Sequence, residues 1–186
     1  MRSIKYLSPV GMLGGGFSEN HFMAALSEDL AFIGCDSGSC DGGASYLGAN
    51  KFFQSRGAIK RDIRLLLIGS RKLNIPLLIG SCGGSGGNWN VNWMWEIVKE
   101  IAQEEKLHFK TALIDAEPNR EVLVQKWRDG KITPLDPAPE IDETTFISAE
   151  RIVGMMGAEA FLKALEGGAD VVLAGRATDA SIFSAI

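Results

Sequence analysis

The chain has 186 residues, of which 46% are hydrophobic and 23% are charged, and its formal net charge is −4. A chain of this length and composition buries one substantial core, so we predict a single α/β domain over residues 1–186 and exclude a disordered protein. Its scattered Lys and Arg residues argue against nucleic acid as a partner, and no apolar run approaches the roughly 20 residues that cross a bilayer.

In the first half of the chain, short apolar runs alternate with longer segments of helical periodicity. Strands are predicted at Ser3–Leu7, Ala31–Ile33 and Pro76–Ile79. Helices are predicted at Ser18–Leu26, with Ser18 as the N-cap, at Ala58–Lys72, and from Asn88 or Asn90 onward. These assignments rest on apolar spacing and on capping residues.

The second half continues the alternation. It predicts a strand at Phe109–Ile114, a helix near Asn119–Asp129, a helical pair within Thr145–Glu166 joined at Gly157, and a strand at Val171–Leu173. Strand–helix repetition favours a parallel sheet with helices on both faces, in a Rossmann-like three-layer arrangement. The final stretch "ASIFSAI" begins an apolar helical pattern with no cap. We therefore expect a sheet that is incomplete at the C-terminus and a chain that is the N-terminal part of a longer architecture.

A glycine-rich stretch, "IGSCGGSGGN" at residues 79–88, lies between a predicted strand and a predicted helix. Ligands of parallel α/β sheets bind beyond the carboxyl ends of the strands. Bare backbone amides and the positive end of the helix favour a phosphate or carboxylate there. The ligand contacts predicted in this stretch are Ser81, Gly83, Gly84, Ser85 and Gly87. The alternative is that the glycines only permit a tight strand-to-helix crossing.

A second glycine cluster, "GMLGGG", follows the first predicted strand, and Asp36 comes about twenty residues later. That spacing is typical of the acidic residue that binds the ribose in dinucleotide folds. However, the pattern G-x-G-x-x-G is absent, and there is no Walker A motif. A nicotinamide site is therefore only an alternative interpretation.

The loop "CDSGSCDGG" carries two carboxylates, of which Asp36 is predicted to transfer protons and Asp41 is left undecided. Its neighbours Ser37 and Gly38 are predicted ligand contacts. No metal site is predicted, because structural zinc needs four ligands and no second Cys or His pair accompanies these cysteines. The chain has three cysteines. An odd number precludes a complete disulfide framework and indicates small, buried, reduced thiols in a cytoplasmic protein.

Two more strand ends carry chemistry-bearing residues. In "AGRATD", Arg176 is predicted to clamp an anion, and Asp179 to orient the arginine, cap the next helix or act as a base. In "LIDAEPN", Glu117 is a predicted catalytic carboxylate. The alternatives are an arginine–aspartate pair that holds a turn and a glutamate that caps a helix.

Several motifs stand together in order: "IGCDSGSCDGG", "IKRDIRLLL", "IPLLIGSCGGSGG", "WEIVKEIAQEEKLHFKTALIDAE" and "MGAEAFLKALEGGADVVLAGRATDASIF". Through them the sequence resembles the acyclic terpene utilisation protein A family over nearly its whole length. The resemblance implies a cytoplasmic protein of branched acyclic terpenoid catabolism, which proceeds through acyl-CoA thioesters. It assigns no reaction and no catalytic residues. The positions carried over are Asp36, Ser37, Gly38, Gly80, Ser81, Gly83, Gly84, Gly87, Glu117, Gly175, Arg176 and Asp179.

Three functional hypotheses follow. The first is an enzyme or enzyme subunit that binds a phosphate- or carboxylate-bearing acyl ligand, such as a CoA ester. The others are a nucleotide-binding oxidoreductase and a non-catalytic binding or scaffold module. No cofactor is assigned. We expect a small anionic ligand and a homo-oligomer, without nucleic acid or membrane partners.

Overall fold

The structure is a computed structural model, and it describes residues 4–38 and 43–186. The described residues form one sheet of five parallel strands in the order β1-β2-β3-β5-β4. The strands are β1 (Tyr6–Leu7), β2 (Phe32–Asp36), β3 (Leu77–Gly80), β4 (Thr111–Ile114) and β5 (Val171–Ala174). The predicted parallel α/β architecture is confirmed.

Eight helices accompany these strands in the described ranges. They are α1 (Glu19–Ala25), α2 (Gly43–Gly48), α3 (Arg56–Leu73), α4 (Asn88–Glu104), α5 (Arg120–Arg128), α6 (Glu143–Ser148), α7 (Ala158–Glu166) and α8 (Asp179–Phe183). The Ser18 hydroxyl caps α1 as predicted, by accepting the amide of His21. Ser55 and Asn119 cap α3 and α5 in the same way, which satisfies amides that have no partner inside the helix.

Two hydrophobic clusters lie on opposite faces of the sheet. One joins α1, α3 and α4 to residues such as Ile33 and Ile79. The other joins Phe161 of α7 and Ile182 of α8 to Phe32 and other strand residues. Because successive strand residues point to opposite faces, Phe32 and Ile33 enter different clusters. The predicted three-layer arrangement is therefore present.

The structure differs from the predicted elements in two places. A short helix, α2, forms in a stretch that the sequence predicts as loop. The predicted helical pair is split, since residues 149–157 are not helical and Met156 pairs with Ala177 in an isolated bridge. Gly157 serves as the N-cap of α7 rather than as a joint between two contacting helices.

The strand order creates a topological switch point between β3 and β5. The chain leaves β3 for α4 on one face and leaves β5 for α8 on the other face. Such a point usually opens a crevice at the carboxyl ends of the strands. This is the edge at which the sequence predicts a site. Across the described residues, the helices are all too short or too polar to traverse a membrane.

Candidate functional site

The glycine-rich loop between β3 and α4 is buried and bonded to its own protein. Among the amides of residues 81–88, six donate to groups of the described chain: those of Ser81, Cys82, Gly84, Gly86, Gly87 and Asn88. The Ser81 amide donates to Gly175 O at 3.1 Å and the Cys82 amide to Ala174 O at 2.9 Å. These contacts favour the alternative interpretation, in which the glycines permit a tight strand-to-helix crossing, over the interpretation of the loop as an anion-binding site.

The glycines of this loop are explained by backbones that approach each other closely. At Gly86, a Cβ atom would lie 2.4 Å from the amide nitrogen of Arg176, and the Gly86 φ of 71° also favours glycine. The Arg176 amide donates to Gly86 O at 2.8 Å. The Ser81 hydroxyl lies between Ala177 O and the Ala177 amide, at 3.2 and 3.3 Å. The switch-point crevice is therefore closed by hydrogen bonds between its two loops.

The positive N-terminus of α4 is occupied by the protein's own carboxylate. Glu117 Oε1 accepts the amide of Asn88, the first residue of α4, at 2.8 Å. In return, the Asn88 side chain accepts the amides of Ala116 and Glu117 at 2.9 and 3.1 Å. Arg151 contacts the same carboxylate at 3.1 Å. Glu117 therefore has the contacts of a helix-capping group, and it caps α4 rather than the following helix, which Asn119 caps. Its catalytic role stays a prediction.

The second glycine cluster is filled in the same way. The amides of Gly14 and Gly16 both donate to Asp62 Oδ2, at 2.9 and 3.0 Å. Asp62 lies on α3, is fully buried and pairs with Arg61. Because a carboxylate already satisfies these amides, they are not available to a dinucleotide phosphate in this arrangement. The second glycine cluster therefore does not support the nicotinamide alternative, because its amides already have a carboxylate partner.

Asp36 is a charged group at this edge whose hydrogen bonding within the described residues is incomplete. It ends β2 and is only 7% exposed. Its Oδ2 accepts the Gly38 amide at 3.0 Å, whereas its Oδ1 has no hydrogen-bond partner in the described part of the chain. The Ser81 hydroxyl lies near this carboxyl group and lowers its pKa, although its own hydrogen bond runs to Ala177 O. A buried carboxylate oxygen without a partner is costly and calls for a ligand or proton.

The electrostatics of Asp36 bring three predicted residues together. Burial raises the pKa of Asp36 to about 6, and the hydrogen bond from the Gly38 amide opposes this rise. The carboxylate of Asp179 raises the pKa further, and the guanidinium of Arg176 lowers it. Asp179 begins α8 and is exposed, and Arg176 is half-buried in the preceding loop. The pKa of Asp36 is therefore raised toward neutral pH beside a cation and a second carboxylate.

Three more buried polar atoms near these loops lack partners among the described residues: Ser37 Oγ, Ser85 Oγ and Asn90 Nδ2. Ser37 and Ser85 were predicted from sequence as ligand contacts, whereas Asn90 was considered only as a helix cap. Its other amide atom, Oδ1, accepts the Gly87 amide at 3.0 Å, inside the first turn of α4. The predicted contact Gly38 is packed tightly, since a Cβ there would lie 2.3 Å from the Ser81 Cβ.

Sequence reasoning missed Asp62, which accepts the amides of the second glycine cluster, and Arg151, which pairs with Glu117. Asp62 and Arg151 were not singled out, because they lie far along the chain from the amides or carboxylate that they contact. The only available signal for Asp62 is a charged residue next to the apolar positions of α3, where burial requires a partner.

The two cysteines in the described part of the chain lack the properties of nucleophiles. Cys35 and Cys82 are buried, as predicted, and burial raises the pKa of each thiol far above its ordinary value. Cys40 and Asp41 lie outside the described residues. Within the described ranges, no group of three His, Cys, Asp or Glu side chains is arranged to hold a metal ion.

The fold and the site define an α/β protein with a parallel sheet and, at the carboxyl edge of that sheet, a buried carboxyl group with a raised pKa. Residues 84–186, more than half of the chain, match the family model described as acyclic terpene utilisation family protein AtuA. The chain belongs to this family, as the resemblance implied. The match includes Glu117, Arg176 and Asp179, and it begins after Asp36. No curated protein and no solved structure matches the chain.

Proposed function

We propose that this chain binds an acyl thioester, or a related phosphate- or carboxylate-bearing metabolite of acyclic terpenoid catabolism, in the cytoplasm. The ligand binds at the carboxyl edge of β2 and β5, and Asp36 is the group that exchanges a proton with it. Membership of the acyclic terpene utilisation family supports the substrate class. The acyl-CoA form of the ligand rests on the route that such catabolism follows.

The observation that carries this proposal is the bonding of Asp36. Its Oδ2 is held by the Gly38 amide, which fixes the carboxyl group in one orientation. Its Oδ1 has no partner within the described residues, although it is buried. A carboxyl group with one anchored and one free oxygen, and with a pKa near the working pH, can take a proton from a ligand group or return it.

The surroundings of Asp36 supply the remaining requirements of the proposed site. Arg176 places a positive charge beside the carboxyl group, which suits an anionic ligand group or a negative charge that develops on a carbonyl oxygen. The tight packing of the Ser81–Asn88 loop beneath holds these groups on a rigid base. In this proposal, the glycines build the base of the site instead of contacting the anion.

A thermal-shift screen tests this function. The wild-type chain is melted with coenzyme A, acetyl-CoA, octanoyl-CoA, ATP and NADH, and a ligand at 100 times its Kd should stabilise the fold by about 2.7 kcal/mol. The screen is repeated from pH 5 to pH 8 with Asp36→Asn and with the exposed control Asp29→Asn.

We expect an acyl-CoA ester to shift the melting temperature with a pH dependence centred near 6 in the wild-type protein and in the control. The Asp36→Asn variant should bind without that dependence. If no acyl-CoA ester shifts the melting temperature, or if Asp36→Asn keeps the full pH dependence, the proposal is wrong.

A further inference from the structure

An aromatic segment covers the glycine-rich loop on the face that carries α3 and α4. This aromatic segment, residues 46–53, includes Tyr46, Phe52 and Phe53. The Phe53 ring lies directly on Gly84, where a Cβ atom would be 2.1 Å from the ring carbon Cδ2. The rings of Tyr46 and Phe53 stack with centroids 4.3 Å apart and planes 6° apart.

The same segment is fixed to α4 by ring stacking. The Phe52 ring lies 3.6 Å from the Trp93 ring and 4.4 Å from the Trp89 ring, centroid to centroid. By contrast, the backbone amides of Ala49 and Lys51 donate to carbonyls of Ser45 and Tyr46, inside or next to the segment itself. The segment is thus a locally bonded unit that docks on the domain through its rings. These backbone hydrogen bonds do not involve the glycine-rich loop.

A narrow crevice lies beneath these rings, and in this arrangement it is too small to admit a water molecule. Its lining is almost wholly apolar and comprises Leu13, Phe52, Phe53, Ile59 and Trp93, with Ser37, Gly83 and Gln54. The Ser37 side chain is 2% exposed, and its hydroxyl has no hydrogen-bond partner in the described ranges. A buried hydroxyl that bonds neither to the protein nor to solvent marks an arrangement that is completed by another group.

Asp36 and Ser37 are consecutive residues whose side chains lie on opposite faces of the β2 end. Asp36 is oriented toward Arg176 and α8, and Ser37 lines the crevice on the α3 and α4 face. A ligand that reaches both needs a polar part and an apolar part. The lining of the crevice suits a hydrocarbon chain, and the Ser37 hydroxyl suits a carbonyl oxygen at the head of that chain.

We propose that the aromatic segment is a lid over an acyl-chain site, and that the Phe53 ring occupies the position of the chain in the closed arrangement. This inference rests on the proposed function, because it names how the apolar part of the same ligand is bound. An incoming chain displaces Phe53 from Gly84 and packs against Trp93 and Ile59. Long chains gain this apolar contact, whereas an acetyl group is too short to require displacement of the lid.

The test compares acetyl-CoA with octanoyl-CoA by isothermal titration calorimetry. The variants are Phe53→Ala and a matched control, Phe109→Ala, which removes another half-buried phenylalanine that precedes β4. We expect the wild-type chain to bind octanoyl-CoA more tightly than acetyl-CoA. Phe53→Ala should tighten octanoyl-CoA about tenfold, because the competing ring is gone, and leave acetyl-CoA unchanged. Phe109→Ala should preserve the wild-type ratio.

A measurement on the wild-type protein covers the case in which Phe53→Ala does not fold. Octanoyl-CoA should change the acrylamide quenching of tryptophan emission, because Trp89 and Trp93 lose their Phe52 partner, and acetyl-CoA should change it much less. If both esters bind with equal affinity and equal quenching, the lid is wrong and the proposed function stands. If neither ester binds, the proposed function fails and the lid fails with it.

Discussion

The carboxylate of Glu117 accepts the backbone amide of Asn88 at 2.8 Å, and the side chain of Asn88 accepts the backbone amide of Glu117 at 3.1 Å. This reciprocal pair fastens the end of β4 to the start of α4. It places the negative charge that a helix N-terminus prefers within the protein itself. The strongest anion-binding feature of the sequence is therefore satisfied internally.

The first prediction concerns this clamp. Glu117→Ala should destabilise the fold by about 2 kcal/mol, because it leaves the Asn88 amide uncapped and the half-buried Arg151 without its carboxylate. The free energy of urea unfolding measures the effect. Glu140→Ala, at an exposed loop position, should change it by less than about 0.5 kcal/mol. Equal effects of the two substitutions would show that the clamp contributes nothing.

The second prediction separates close approach from backbone strain at glycine. Gly86 and Gly130 have nearly the same φ, 71° and 69°, but only Gly86 faces another backbone. Gly130→Ala should cost about 1 kcal/mol from its left-handed conformation alone. Gly86→Ala adds the collision with the Arg176 amide and should cost about 3 kcal/mol or more. Similar unfolding free energies for the two variants would contradict the close approach of the Gly86 and Arg176 backbones.

The third prediction concerns Asp62, whose carboxylate accepts the amides of the second glycine cluster. Asp62→Ala should cost about 3 kcal/mol, since it removes a fully buried charge from the Gly14 and Gly16 amides and from Arg61. Chemical denaturation measures it, with the exposed Asp29→Ala as the control. A loss as small as that of the control would mean that the loop holds its shape without Asp62.

The fourth prediction is a pH dependence of stability. The pKa of Asp36 is raised from 3.8 to about 6 in the folded chain, so the fold favours the protonated form. Its contribution is fully present below pH 3.8 and is lost as the pH rises through about 6. Asp36→Asn cannot ionise, so the wild-type protein should lose on the order of 2–3 kcal/mol relative to this variant between pH 4 and pH 7. Parallel stability curves for the two proteins would contradict the raised pKa.

The comparison of sequence and structure shows where local pattern suffices. Runs such as Leu77–Gly80 and Val171–Ala174 are short and apolar, and each ends at or just before a glycine, so their strands were predictable within a few residues. The α1 cap was predictable because Ser18 bonds three residues ahead. The same local logic predicted that Asp36 lies at a strand end, which is the ligand edge of a parallel sheet.

What could not be predicted depends on contacts between distant parts of the chain. The amides of Gly14 and Gly16 donate hydrogen bonds to Asp62, and the amide of Asn88 donates to Glu117. In each case the partners are far apart in the sequence. A single sequence shows that an amide-rich turn favours a nearby negative group. It does not show whether a ligand or a distant residue provides that group. For that reason the glycine-rich loop was assigned to a ligand.

The side-chain carboxyl carbon of Asp36 reports most directly on the proposed site. Its ¹³C chemical shift can be titrated by NMR from pH 3 to pH 9, with Asp36→Asn to assign the signal, first in the free protein and then with octanoyl-CoA. We expect a midpoint near 6 in the free protein and a displaced midpoint in the complex, since the ligand contacts Oδ1. A midpoint near the ordinary value of 3.8, or one that the ester leaves unchanged, would contradict a role for Asp36 in binding and proton exchange.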